Sequence, residues 1–259
     1  MKVYVANAFT QEKFGGNPAA VVPLRQWLTD EMMQNIAAQH NLSETAYIVP
    51  EGNGYYIRWF TPTVEVALCG HATLATAHIL FNHLDYKSNK IIFQCKSGPL
   101  EAIKKEGKRI MMDFPTNAPV ETQSVPAIEA GLKTKPLATY LSTFDYMVVL
   151  PDQAAVENLS PDFRILGQIP SRGVLATAKG NETDFVSRCF FPQTGIDEDP
   201  VTGSAHTVLT PYWAKQLGKT KLTALQLSKR RGRVDCEFAG DRVLMTGQAV
   251  TYLEGDILI

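Results

Sequence analysis

GHATLATAHILFNHL (residues 70–84) begins with a glycine and then turns apolar around most of a helical circumference. A helix with apolar residues on nearly every face is enclosed by other elements rather than laid on a surface. A second stretch, GSAHTVLTPYWAKQLG (203–218), has the same layout of glycine, small residues and apolar residues on most faces. Two enclosed helices require two wrappings, and a chain of 259 residues has room for two domains of roughly 100–150 residues each. The proline-containing stretch PTNAPVETQSVP (115–126) is the natural boundary. It gives an N-terminal domain over 1–117 and a C-terminal domain over 118–259, with the last strand able to pack on the N-terminal half.

The wrapping is expected to be β structure. VYVANAF (3–9), TAYIV (45–49), YYIRWFT (55–61), KIIFQC (90–95) and RIMMDF (109–114) read as strands in the first half. KPLATYL (135–141), DYMVVL (145–150), VLATA (174–178), DFVSRCFF (184–191), RVDCEFA (233–239) and RVLMTGQAVTYL (242–253) do so in the second. Each is rich in β-branched or aromatic residues and bounded by Gly, Pro, Asp or Lys. One further helix, DEMMQNIAAQH (30–40), has Thr29 as its cap, Asp30 and Glu31 in the first turn and Asn41 to end it. The fold class is therefore α+β: two pseudo-symmetric domains, each a barrel-like, mostly antiparallel sheet around a central apolar helix. Pro211 breaks a local rule, because a proline inside a straight helix costs about 3 kcal/mol. The second apolar helix is expected to kink at Thr210 or to end sooner.

Composition narrows the function. The chain is 45% hydrophobic and 20% charged, with a net charge of −1. Near-neutral balance argues against bulk electrostatic binding to nucleic acid or anionic membrane. No apolar run approaches the roughly 18 residues of a membrane span. The opening MKVYVANAFTQEKF lacks the long apolar segment of a signal peptide, so a cytoplasmic location is expected. Cys69, Cys95, Cys189 and Cys236 form no C-x-x-C pair and have no histidine cluster beside them, so neither zinc nor a disulfide framework is signalled. KKEGKR (104–109) and KRRGR (229–233) are short and read as solvated hairpins. No G-x-G-x-x-G opens a helix and no Walker lysine is present, so no nucleotide cofactor is implied.

The chemistry is expected at the helix starts. The first N–H groups of a helix need acceptors and favour an anion, and Gly70 and Gly203–Ser204 leave room for a ligand to approach them. His71 sits in the first turn of one helix, where the positive helix end favours neutral imidazole. Cys69 precedes that helix, a position that activates a thiol. Glu44, in NLSETAYI (41–48), stands where a helix ends and an apolar strand begins. Half-buried there, a carboxylate suits general acid–base work. Asp199, in DEDPVTGSAH (197–206), lies near a helix N-terminus that favours its ionised form. Two carboxylates held in different environments are what proton-transfer chemistry needs. Asp197 and Glu198 read as solvated loop charges, and Pro200 as a strand stop.

GGNPAAVV (15–22), NLSETAYI (41–48), IRWFTPTVEVALCGHATLATAHIL (57–80), DEDPVTGSAH (197–206) and TGQAVTYLEGDI (246–257) together resemble the PhzF family of phenazine-biosynthesis-like isomerases, in order and over nearly the whole chain. The resemblance implies a fold similar to diaminopimelate epimerase, with the site in the cleft between two halves. It implies that Glu44 shuttles a proton, that His71 and Asp199 are catalytic partners, and that the amides at Gly70, Gly203 and Ser204 hold carboxylate or hydroxyl groups of a small-molecule substrate. Asn17, Ser43 and Cys69, within the same motifs, are expected beside the substrate. No metal and no organic cofactor are implied, and because the family often dimerises a homodimer is the expected assembly. Cys69-Gly70 also looks like the first cysteine–glycine motif of diaminopimelate epimerase, yet DPVTGSAH contains no second thiol. A racemase or epimerase using Cys69 with another acid, and a non-catalytic binding protein that kept the fold, are the alternatives.

Overall fold

The computed structural model describes Met1–Ile259, and the chain divides into two compact units. Unit 1 comprises Met1–Asp113 and Thr246–Ile259; unit 2 comprises Phe114–Met245. In chain order the first elements are β1 (Lys2–Ala8), β2 (Asn17–Pro23), α1 (Asp30–His40), β3 (Glu44–Glu51), β4 (Gly54–Phe60), β5 (Glu65–Val66), α2 (Gly70–Asn82), β6 (Lys90–Gln94), β7 (Leu100–Lys104) and β8 (Ile110–Pro115). There follow β9 (Val120–Thr122), α3 (Pro126–Leu132), β10 (Ala138–Leu141), β11 (Asp145–Val149), α4 (Gln153–Glu157), α5 (Phe163–Leu166), β12 (Gly173–Lys179), β13 (Phe185–Phe191) and β14 (Ile196–Asp199). The chain ends with α6 (Gly203–Leu217), β15 (Lys221–Gln226), β16 (Gly232–Ala239), β17 (Arg242–Gly247) and β18 (Ala249–Asp256). The architecture is the α+β class expected, and no helix is long and apolar enough to cross a membrane.

In unit 1 every residue of α2 from Gly70 to Phe81 is buried, because β1, β2, β3, β7 and β18 pack around it. Its hydroxyls do not oppose that burial: Thr73 and Thr76 each donate to the carbonyl four residues back, Cys69 and Ala72. β2 and β3 run parallel, with Ala19 opposite Glu44 and Val21 opposite Ala46. Most of the other ladders are antiparallel, including β1 with β2 and with β18. α1 begins and ends as read: the Thr29 side chain accepts from the Met32 N–H, and Asn41 closes the helix in the left-handed region at φ 51°.

In unit 2, α6 packs against β15 and β16, and its residues from Gly203 to Ala214 are buried except Ser204 and Tyr212. Pro211 neither ends this helix nor leaves it unsatisfied. It supplies no N–H to Thr207, and the Asn117 N–H takes that carbonyl instead at 3.1 Å.

Several expectations are corrected. Three further short helices, α3, α4 and α5, join the three expected; two of them are started by Asp152 and Asp162, whose side chains cap the first turn. They are four to seven residues long, too short for helical periodicity to show. GNPAAVV, absent from the strands read in the sequence, contributes a strand of its own, β2. RVLMTGQAVTYL is two strands, β17 and β18, separated at Gln248. Glu198 is not a solvated loop charge. It lies in β14, half-buried, and grips Arg188 through two contacts of 2.7 and 2.9 Å. Asp197 is exposed, and both basic stretches lie in solvent-facing hairpins as expected.

Two glycines test how closely unit 1 is built. Gly16 has φ +64°, and a Cβ there would meet the Ala8 carbonyl oxygen at 2.2 Å. Gly52 has φ +55° with open space around it. Gly52→Ala is therefore expected to cost about 1–2 kcal/mol for the left-handed backbone alone. Gly16→Ala adds the clash, for about 2–5 kcal/mol in all. Urea unfolding of the two variants checks this; equal losses would show that the backbone around Gly16 yields.

Candidate active site

The N-terminus of α2 carries the densest group of reactive side chains in unit 1. Cys69 is the extended residue before the helix, and its thiol does not cap the first turn. His71 follows two residues later, its side chain 5% exposed. Glu44, at the start of β3, brings Oε2 to 3.2 Å from His71 Nε2, and both atoms are shut off from solvent. The Glu44 side chain as a whole is 13% exposed.

The other face of the ring is held by residues from two strands. Asn17, fully buried at the start of β2, lies with Nδ2 3.2 Å from His71 Nδ1. The Ser43 hydroxyl donates to Asn17 Oδ1 at 3.3 Å, which points the amide nitrogen at the ring. Nδ1 is then an acceptor and the ring proton belongs on Nε2, facing Glu44. Cys69 Sγ approaches the same Nδ1 at 3.5 Å. Burial pushes the His71 imidazole down from 6.5 to about 3, so it is neutral at pH 7. A neutral imidazole here can pass a proton at one nitrogen while holding a fixed partner at the other. The ligating atoms of Glu44, Cys69 and His71 lie within 4.8 Å of one another, a donor set of a type that also suits a divalent ion.

Unit 2 contains the second motif. Asp199 ends β14 and is buried; Thr202 Oγ1 donates to its Oδ2 at 2.5 Å. Gln226 fastens this corner. Its Nε2 donates to the Asp199 carbonyl at 2.7 Å and its Oε1 accepts the Thr202 N–H at 2.8 Å. His206 Nδ1 lies 2.7 Å from the Thr202 carbonyl, and burial pushes this ring down to about 4. Gly203 and Ser204 form the first turn of α6, where helix geometry leaves amides without carbonyl partners in the helix. The Ser204 hydroxyl accepts from Arg172 Nη2 at 3.1 Å.

The structure thus brings Glu44, His71, Cys69, Gly70, Asn17 and Ser43 together in unit 1, and Asp199, Gly203 and Ser204 together in unit 2. Sequence reasoning missed Gln226, His206, Asp145 and Arg172. Gln226 had a signal: in KLTALQ it falls on the inward alternation of Leu222 and Ala224, a buried polar residue where an apolar one is expected.

A buried helix N-terminus beside a carboxylate and a neutral imidazole supplies the groups that proton transfer needs. The comparisons with known proteins agree. The family model described as phenazine biosynthesis-like protein matches residues 6–255, and the chain belongs to this PhzF family. An uncharacterized isomerase of Pseudomonas aeruginosa is 48% identical over 257 residues, covering 99% of this chain and 98% of the relative. A solved PhzF-family protein from Enterococcus faecalis superposes with a TM-score of 0.96 at 46% identity, covering 100% of this chain and 99% of that one. A hydroxyproline epimerase from Agrobacterium vitis shares the fold alone, with a TM-score of 0.64 at 9% identity over 98% of this chain and 91% of that one. The chain is an enzyme of the PhzF-like isomerase type.

The low pKa of His71 has a consequence for stability. The unfolded ring takes up a proton below about pH 6.5, while the folded ring resists until about pH 3. The unfolded state therefore binds more protons in that window, and stability falls as pH drops through it. Each ring held neutral contributes a slope of about 1.4 kcal/mol per pH unit. His71→Gln is expected to flatten the dependence of unfolding free energy on pH between 6 and 4 by about one proton. Denaturant unfolding at several pH values measures this; an unchanged slope would mean that His71 is charged in the folded protein.

Proposed function

We propose that the protein is a cofactor-independent isomerase that moves a proton on a small carboxylate-bearing substrate, with Glu44 as the principal acid and base. The observation that supports this reading most strongly is the 3.2 Å approach of Glu44 Oε2 to the buried, neutral His71. Glu44 accepts a proton from a carbon acid of the substrate and returns it at another position. His71, fixed at Nδ1 by Asn17 and Ser43, presents Nε2 to the carboxylate and steadies it in both protonation states. The amides of Gly70, Gly203 and Ser204 bind the substrate's anionic groups and stabilise charge that develops as the proton leaves. Asp199 orients the substrate, its own carboxylate held by Thr202. In this reading the enzyme is homodimeric, as the family resemblance implies, and works in the cytoplasm.

A second reading has a specific observation behind it. Cys69 Sγ lies 3.5 Å from His71 Nδ1, which makes the thiol a candidate second acid for inverting a chiral carbon. Solvent-deuterium uptake by a panel of small cyclic and acyclic amino and hydroxy acids, followed by mass spectrometry, separates the two. Glu44→Gln is expected to reduce uptake by about 10²–10⁴-fold, and Cys69→Ala to change it little. Uptake that survives Glu44→Gln but disappears in Cys69→Ala would transfer the chemistry to the thiol.

A further inference from the structure

The start of α6 faces a cation that the motif does not contain. Arg172 immediately precedes β12, and Asp145 opens β11; the parallel register sets Asp145 opposite Gly173, which brings the two side chains together. Asp145 is fully buried and grips the guanidinium with both oxygens, accepting from Nε at 2.8 Å and from Nη2. The rings of Phe144 and Phe191 flank the group, with centroids 5.7 and 5.4 Å from Cζ. Nη2 also donates to the Ser204 hydroxyl at 3.1 Å. The side chain nevertheless remains 35% exposed, and its hydrogen bonds run through Nε and Nη2, not Nη1.

An unpaired cation is disfavoured at this place. A helix N-terminus carries partial positive charge and is stabilised by anions, whereas cations belong at the other end. Asp145 offsets the charge of Arg172 but holds it by Nε and Nη2, leaving Nη1 outside that grip. Ser204 adds to the asymmetry. Its hydroxyl oxygen accepts from Arg172, which leaves the hydroxyl proton available as a donor, and its carbonyl is taken separately by Thr207 Oγ1 at 2.7 Å. The contact with the Ser204 hydroxyl thus sets the guanidinium at the first turn of α6, whose Gly203 and Ser204 amides are also donors.

We propose that Arg172 is a substrate-binding, specificity-determining residue that selects a carboxylate at the start of α6. Nη1 takes one carboxylate oxygen; the Ser204 hydroxyl and the Gly203 and Ser204 amides take the other. Asp145 and the two phenylalanines are positioning residues that hold the planar guanidinium in place. The proposal rests on the assignment of Gly203 and Ser204 to the substrate's carboxylate and adds the group that excludes neutral amides and alcohols from that spot.

The test is an NMR titration of nitrogen-15-labelled protein with acetate, with acetamide and sodium chloride at matched concentration as controls. The Arg172 Nε–H and Ser204 amide signals are expected to shift saturably with acetate and with neither control. Arg172→Met is expected to weaken acetate at the Ser204 amide by at least about tenfold, the worth of one charge-assisted hydrogen bond; Arg172→Lys is expected to lose less. If Arg172→Met fails to fold because Asp145 is left unpaired, the Asp145→Asn, Arg172→Met double variant removes both charges and gives the same readout. No saturable response in the wild type, or an unchanged acetate affinity in Arg172→Met or in that double variant, overturns the proposal. Acetate binding involves no proton transfer. Failure of the Glu44 reading, seen as deuterium uptake that survives Glu44→Gln, would leave this titration intact, and failure here would leave that uptake and its dependence on Glu44 intact.

Discussion

Burial of the N-terminus of α2 is the constraint from which the rest of unit 1 follows. Strands on several sides remove water from the first turn, and a buried ring that ionised there would lose its hydration without an equivalent replacement. His71 is therefore neutral, and a neutral imidazole must find one acceptor-side and one donor-side partner. Asn17 and Ser43 supply the first and Glu44 faces the second. Gly16 belongs to the same construction. Its left-handed backbone lies against the Ala8 carbonyl and delivers Asn17 to the start of β2.

The two apolar helices use the same plan with different chemistry. Cys69 and Thr202 occupy the same place, the extended residue before a glycine-initiated helix, and neither caps it through its side chain. In unit 1 that residue turns toward an imidazole, at 3.5 Å. In unit 2 it donates to a carboxylate, Asp199. His71 in the first helix likewise corresponds to Ser204 in the second. A thiol in both places would describe a paired-thiol racemase; the threonine at position 202 removes that option.

Much of this was legible in the chain. All-round hydrophobicity marked α2 and α6 because full enclosure leaves no polar face to maintain, and the Thr29 and Asn41 caps placed α1 because side-chain capping is a local rule. What escaped reading depends on partners distant in sequence. Pro211 could not be resolved as kink or stop, since the group that satisfies Thr207 comes from Asn117, about ninety residues earlier. Glu198 read as solvated because Arg188 meets it only through strand pairing. Arg172 and Asp145 lie 27 residues apart and become a pair through a parallel register. Glu44 and His71 were each visible as candidates, but their 3.2 Å approach is a property of the fold.

The central claim is that His71 is neutral, with its proton on Nε2 toward Glu44, and it can be tested without knowing the substrate. Nitrogen-15 NMR of the histidine side chains at pH 7 reports charge and tautomer together. The account predicts a neutral His71 ring with a protonated Nε2 and an unprotonated Nδ1, unchanged down to pH 5. An imidazolium at pH 7, or a proton on Nδ1, would contradict it.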